Sequence, residues 1–334
     1  MKMAALTCAA VLLVAIPSWG IEPVPFLIWD EPGDQMLPAI SGGIVVWEDR
    51  RRFPDDNIYG RDLSQPTVFP VSTAFRGQRT PRISGSIVVW TDDRWGNSDI
   101  YGLDLLSMTE LPICTDPDVQ SSPDISGDTV VWADYRNNQS TDWDIYGYDL
   151  RTRTEFPIST DPAVVGHPRI SGDIVVWADY RNGKGDIYGY DLATGVEFPI
   201  CTAPGDQSAP SIGGGLVVWQ DRRHGGWDIY AYDLAGRQEI PITVGRPEAQ
   251  NPTTNGEYVV WDDVLKDGWT MFGHELATGR EFGVSSGYGA DMSGDIVVWH
   301  TGGIYGAYIP EPATLGSLAL GAILLLRRGR RRGR

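Results

Sequence analysis

A chain of 334 residues with 44 Asp and Glu against 27 Lys and Arg has a formal net charge of −17. Lys2 and the six arginines at the C-terminus contribute +7 of that, so residues 21–312 carry −24. Such a body stays soluble and repels nucleic acid and anionic membranes, which argues against a nucleic-acid partner.

Residues 1–20 read as a secretory signal peptide. Lys2 gives the positive start, Ala4–Ile16 the apolar core and Ser18-Trp19-Gly20 a small-residue cleavage site. The apolar run is too short for a membrane helix. Val24–Trp29 then reads as a strand followed by Glu31-Pro32-Gly33-Asp34-Gln35, the punctuation that follows fourth strands further along.

From there to residue 309 the chain repeats one unit, clearest at residues 168–202. Arg169–Ser171 is a first strand, and Gly172-Asp173 a tight turn. Ile174–Ala178 is a continuous apolar run ending at Trp177 and Ala178, rich in Val and Ile and bracketed by Gly, which suits a strand covered on both faces. Asn182-Gly183 is a hairpin turn, because both residues tolerate positive φ. Asp186–Leu192 and Val196–Ile200 complete a four-stranded antiparallel meander. The Trp of the second strand recurs at 47, 90, 132, 177, 219, 261 and 299. A period of about 40–50 residues with four strands per unit predicts an all-β, seven-bladed β-propeller. The seventh unit stops after a third strand, Ile304–Ile309, so the N-terminal strand is predicted to supply its fourth and close the ring. The domains are thus a signal peptide (1–20), a propeller (21–309) and a tail (310–334), and a monomer is expected.

Blades one to five carry Trp-x-Asp-x-Arg at the second hairpin: Asp49/Arg51, Asp92/Arg94, Asp134/Arg136, Asp179/Arg181 and Asp221/Arg223. Blade six loses the pattern, and blade seven has lost nearly all of that hairpin. Five copies of one pair do not make an active site, so these pairs are expected to hold the hairpins by charge-assisted hydrogen bonds. Cys114 and Cys201 fall at equivalent positions of non-adjacent blades, too far apart for a bridge, and are expected to be free and mostly buried.

The C-terminus reads Pro310-Glu311-Pro312, then an apolar stretch over Ala313–Leu326, then six Arg among eight residues. Fourteen residues fall short of a typical hydrocarbon core of about 30 Å unless flanking sequence, thinning or snorkelling assists. The Arg cluster should remain cytoplasmic. This layout resembles the PEP-CTERM sorting signal of Gram-negative bacteria. The resemblance implies an exosortase-type processing enzyme as a partner, a tether to the inner membrane before processing, and a cell-surface or extracellular destination. It marks Pro310, Glu311 and Pro312 as a processing signal.

The repeats resemble the TolB-type, WD40-like propeller repeat, with its Gly-Asp turn, apolar strand, Asp-x-Arg step and Asp-Ile-Tyr. They are closer still to the Trp-Ala-Asp-Tyr-Arg variety of microbial surface proteins. That resemblance implies a fold and an interaction role, and no chemistry. It covers about residues 24–309, with blades six and seven departing from the pattern.

No nucleophile elbow, phosphate loop or zinc-ligand spacing is present, so neither a cofactor nor a catalytic residue is assigned. Asp-rich loops such as Asp55-Asp56 leave room for calcium, without EF-hand spacing. His167 and His224 fall in loops and are expected to be simply exposed. Trp143, Trp227 and Trp269 share one repeat position, and Trp95 lies in the same loop of blade two. They form either a platform for stacking on sugar rings or covers on the neighbouring blade. The first strands read Pro-x-Ile-Ser almost uniformly, which argues against an enzyme. The expectation is therefore a non-catalytic scaffold binding a glycan or protein at the cell surface. The alternatives are a carbohydrate-active hydrolase or lyase on the same scaffold, or a periplasmic TolB-like partner.

Overall fold

The computed structural model describes residues 22–310, except 52–54, 137–142, 161–165, 247 and 266–267. Residues 1–21 and 311–334 lie outside the described residues, and with them the signal peptide, Glu311, Pro312 and the apolar and Arg-rich tail; Pro310 is the last residue described. The described residues form strands and loops without a helix.

The strands form seven four-stranded antiparallel sheets, and within each the strand order follows the chain. The exception is the predicted one. Phe26–Trp29 pairs with Ile304–Tyr308, which continues to Ile296–His300 and Tyr288–Ser293. The first strands of successive blades contact one another, and the first strand of blade seven contacts that of blade one. The ring is therefore closed, with the first strands innermost.

The apolar second strands drive the assembly. Their seven Trp are 0–1% exposed. Each hydrophobic cluster joins two neighbouring blades: Ala39, Val46 and Ile58 of blade one meet Val88 and Trp90 of blade two, and so on round to Ile28, Val298 and Ile304 against Ile40 and Trp47. A sheet with two apolar faces cannot stay in water alone, so each blade is stable only between two others.

A second pairing locks the outer half of the blade. The Gly of Ile-Tyr-Gly sits opposite an aromatic ring of the fourth strand: Gly60 opposite Phe69, Gly147 opposite Phe156, Gly189 opposite Phe198 and Gly273 opposite Phe282. A Cβ at Gly147 would lie 2.5 Å from the Phe156 ring, so only Gly leaves room. Where blade five has Ala231 instead, its partner is the slimmer Ile240. Phe26 sits opposite Gly306 in the same way. The N-terminal strand thus enters blade seven by the contact that fourth strands make elsewhere.

The Asp/Arg pairs close the loop end of each blade. In blade two, Trp90 Nε1 donates to Asp92 Oδ2 at 2.8 Å, and Arg94 donates from its backbone N and Nε to Asp92 Oδ1, each at 2.9 Å. Arg94 Nη1 reaches Glu110 at 2.8 Å, and its guanidinium lies 4.2 Å from the Tyr101 ring centre. The same set recurs at Asp134/Arg136, Asp179/Arg181 and Asp221/Arg223. Burial alone would raise Asp179 and Asp221. The guanidinium, indole and backbone donors outweigh it and hold both below the usual carboxylate range.

Arg51 corrects the expectation of five equivalent pairs. Its backbone N and Nε donate to Asp49 Oδ1 at 3.1 and 2.7 Å, so the first half of the contact is kept. The second half is missing. Among the described residues Asp49 Oδ2 and Trp47 Nε1 have no hydrogen-bond partner, whereas the other four blades join the corresponding carboxylate oxygen to both the indole and the guanidinium. Arg51 also lacks the glutamate that faces Arg94, because Val68 stands at that place on the fourth strand. The physical reason is a competing aromatic pocket. The guanidinium lies 4.7 Å from the Tyr59 ring centre and 5.7 Å from that of Trp29, which the closing N-terminal segment brings to blade one. Arg51 is therefore held by one carboxylate oxygen and two rings.

Blade six has lost that arginine from its hairpin but not from its structure. Arg246, on the link from blade five, approaches Asp263 at 3.6 Å and Glu281 at 2.5 Å, and lies 5.1 Å from the Phe272 ring centre. Cys114 and Cys201 are free and buried, each accepting a contact from the Arg136 or Arg223 guanidinium. Burial pushes both thiols up to about 12.

The Gly–aromatic pairing is testable where nature has varied it. Ile240→Phe alone should overpack against Ala231 and lower stability by about 1–3 kcal/mol. Adding Ala231→Gly should recover most of that loss in a double-mutant cycle read by chemical denaturation, because the two changes together recreate the pair of the other blades.

Candidate functional site

Six first strands carry an irregularity that the repeat unit of blade four does not reveal. Pairing with the second strand slips between Met36 and Ala39, Arg79 and Arg82, Ser121 and Asp124, Ser208 and Ser211, Gln250 and Thr253, and Tyr288 and Asp291. At each bulge one residue takes positive φ: Leu37, Thr80, Ser122, Ala209, Asn251 and Gly289. For the five that are not Gly this costs on the order of 1 kcal/mol each. A bulge re-aims the side chain that follows it. That side chain is the variable residue of Pro-x-Ile-Ser. Arg82, Ser211, Thr253 and Asp291 line one cavity of about 640 Å³ at the centre of the ring, and so does Arg169, whose strand pairs without a register shift among the described residues.

The invariant part of the motif has a different task. Four serines of the Ser-Gly turns accept the Gly N–H of the next blade: Ser41 from Gly85, Ser84 from Gly127, Ser126 from Gly172 and Ser293 from Gly42, at 2.9–3.0 Å. The uniform residues hold blade to blade, and the variable position is left to define the channel.

Charge is concentrated in that channel. Asp124 and Asp291 each accept the Ile N–H of the following blade, from Ile170 and Ile40, at 2.9 Å. Arg82 stands 3.8 Å from Asp124. Burial, with Arg169 nearby, lowers its pKa to about 10, and Asp124 and Asp291 oppose that shift. Among the described residues Arg169 has neither an ion-pair nor a hydrogen-bond partner. Burial raises Asp291, with Arg82 and Arg169 pulling the other way. His167, two residues before Arg169, lines the same cavity. His167 is exposed in a loop, as expected from the sequence, and that loop faces the cavity; the surrounding wall and the Arg169 and Arg82 guanidinium groups lower its pKa, so the imidazole is neutral at pH 7. His224 is also exposed, with Nε2 3.2 Å from the Tyr230 hydroxyl.

The channel wall continues in aromatic residues. Tyr180, Tyr288 and His300 also line the cavity. His300 is 2% exposed, lies 4.2 Å from the Tyr288 ring, and neither ring nitrogen has a partner among the described residues. The four loop tryptophans lie on four different blades. Trp269 contacts Tyr288 at 6.0 Å between ring centres and so adjoins the channel wall. Trp143 is half-buried against Tyr135 and the cluster joining blades three and four. Trp227 lies under Arg222. Trp95 is 75% exposed, with its indole donating to the Tyr101 hydroxyl. Asp55 and Asp56 do not form a cation site: Asp55 accepts the Arg76 N–H, and Asp56 is buried 3.7 Å from Arg50.

No protein-family model matches the chain, and no curated protein does. Solved structures do. An oligogalacturonate lyase in complex with manganese aligns with a TM-score of 0.66 and 13% identity, over 87% of this chain and 97% of that one. A puromycin-hydrolyzing peptidase of Mycobacterium tuberculosis gives 0.59 and 12%, over 80% of this chain and 56% of that one. TolB from Acinetobacter baumannii gives 0.50 and 15%, over 80% of each. At these identities the likeness establishes a TolB-like seven-bladed propeller fold. It also corrects the expectation that this scaffold argues against an enzyme, because structures sharing the fold include a lyase and a peptidase. Similar first strands do not exclude an active site, because their most variable position lines the channel. Among the described residues no three His, Cys, Asp or Glu side chains are grouped to hold a metal ion, so the donor set does not fit the manganese of that lyase.

His300 gives the channel wall a measurable pH signature. The unfolded chain takes up a proton at this residue near pH 6.5, whereas burial lowers the folded value to about 4. Stability should therefore fall as pH drops from 6.5 to 4, by on the order of 3 kcal/mol from this residue. His300→Gln should show a correspondingly shallower loss between pH 7.5 and 4 in urea denaturation.

Proposed function

We propose that this protein is an exported propeller that takes a carboxylate-bearing saccharide into its axial channel and cleaves it by elimination. The observation that carries this reading is the pair of guanidinium groups, Arg82 and Arg169, brought from blades two and four into one cavity. Asp124 and Asp291 counter their charge, but among the described residues the Arg169 side chain has no ion pair or hydrogen bond, so its donors are open to a ligand. A planar guanidinium matches a carboxylate in bidentate fashion. The oligogalacturonate lyase sharing this fold supports an acidic saccharide as the ligand class. The signal-like residues 1–20 and the tail that begins at Pro310-Glu311-Pro312 support an exported address, where such polymers occur.

The chemistry follows from the neighbours. Arg82 and Arg169 neutralise the carboxylate and so acidify the hydrogen on the carbon beside it. The neutral His167 imidazole takes that proton. The electron pair left behind becomes a carbon–carbon double bond as the bond from the next carbon to the glycosidic oxygen breaks. The leaving oxygen takes a proton from the channel, where the Tyr180 hydroxyl is at hand. Nothing is oxidised or reduced.

Oligouronates mixed with the folded protein should bind and give the ultraviolet absorbance of a conjugated double bond. Arg169→Ala should weaken binding about 10- to 100-fold, the worth of one or two charge-assisted hydrogen bonds. His167→Gln should abolish turnover while binding persists. Equal binding of neutral oligosaccharides, or no effect of Arg169→Ala, would overturn the reading.

A further inference from the structure

The first strand of blade two begins outside the channel, and what stands there extends the site. Arg76, Arg79 and Arg82 follow one another at intervals of three along its lead-in and length. At about 3.3 Å per residue this spans up to roughly 20 Å, from the loop rim to the channel. Arg76 and Arg79 line a surface groove of about 770 Å³ together with Phe75, Asp93 and Asn97. Arg79 is ion-paired with Asp93, whereas the Arg76 guanidinium lies 6.0 Å from the Phe75 ring and against Gly96. Phe75 is 72% exposed, so a large aromatic side chain faces water beside one guanidinium, whereas the Trp95 indole turns away to the Tyr101 hydroxyl. Arg76 itself holds a left-handed φ of 71°, fixed by its N–H donating to Asp55.

Resting on the channel reading above, we infer that the groove at Phe75 and Arg76 is an outer binding site for the same acidic saccharide chain, which runs along blade two into the axial channel. The parts suit that ligand. The Phe75 ring stacks on the apolar face of a sugar ring, the Asn97 amide oxygen accepts from a hydroxyl group while its nitrogen is held by Asp99, Asp116 and Asp118, and Arg76 meets a carboxylate. A second, distant foothold raises affinity only for chains long enough to reach both.

Chain length therefore separates the two sites. Binding of a uronate disaccharide and a uronate octasaccharide is measured by calorimetry on the whole protein and on Phe75→Ala, Arg76→Ala and Arg169→Ala. The octasaccharide should bind the parent protein at least about tenfold more tightly than the disaccharide, a difference of about 1.4 kcal/mol. Each rim variant should remove most of that advantage and leave the disaccharide unchanged, and Arg169→Ala should weaken both. Length-independent affinity that still depends on Arg169 would overturn the outer site and leave the channel reading standing. No uronate binding by the folded parent protein would overturn both. Because the rim side chains are exposed, their loss leaves the core intact, and unchanged denaturation curves check this.

Discussion

Everything in this molecule depends on covering both faces of seven small sheets at once. A blade centred on a buried Trp and a Val-rich strand has no stable existence by itself, and a row of seven would still leave two apolar faces in water. Closing the row into a ring removes both ends. The closing contact, Phe26 over Gly306, is the same Gly–aromatic pairing that locks the outer strand of four other blades. The ring is thus closed by an ordinary member of the repeat, displaced to the other end of the chain.

Closure fixes the outer and middle strands and frees the inner one. The inter-blade bonds run through Ser and Gly backbone contacts, and the buried Trp and Asp/Arg sets lie within blades. The residue before Ile-Ser in the first strand is less bound to this frame: as Asp124 and Asp291 it makes inter-blade bonds, to Ile170 and Ile40, and elsewhere it varies freely. It is Ala, Arg, Asp, Arg, Ser, Thr and Asp in turn, so asymmetric chemistry accumulates at the axis of a nearly symmetric frame. The strained φ values at the bulges belong to the same arrangement, since they set the direction in which those side chains leave the strand.

The acidic surface and the channel arginines act together. A body at −24 repels polyanions over most of its area, so a negatively charged chain is directed to the few places where arginine is concentrated. The blade-two rim and the axial cavity are two such places on one strand. Blade six shows how firmly the frame holds its own arginines: having lost one from the hairpin, it takes Arg246 from the preceding link to face Asp263 and Glu281.

The amino-acid sequence by itself determined the blade. Trp spacing, Asn-Gly and Gly-Asp turns and apolar runs are local signals, and the fourth-strand character of residues 24–29 was enough to predict closure. It also identified the Asp/Arg pairs, because their partners lie two residues apart. Arg51 marks the limit of that reading: its Asp49 contact is local, but the Trp29 ring that draws its guanidinium aside comes from the closing strand. Only the tertiary structure decided the site. Arg82 and Arg169 are separated by two blades of chain, and His167 looks like any loop histidine until the ring curves it inward. Pro-x-Ile-Ser looked uniform because three of its four residues serve the frame. The bulge that turns the fourth toward the channel depends on pairing with the next strand, and which side chains then meet across the axis depends on the ring, and neither is written in the spacing of residues along the chain.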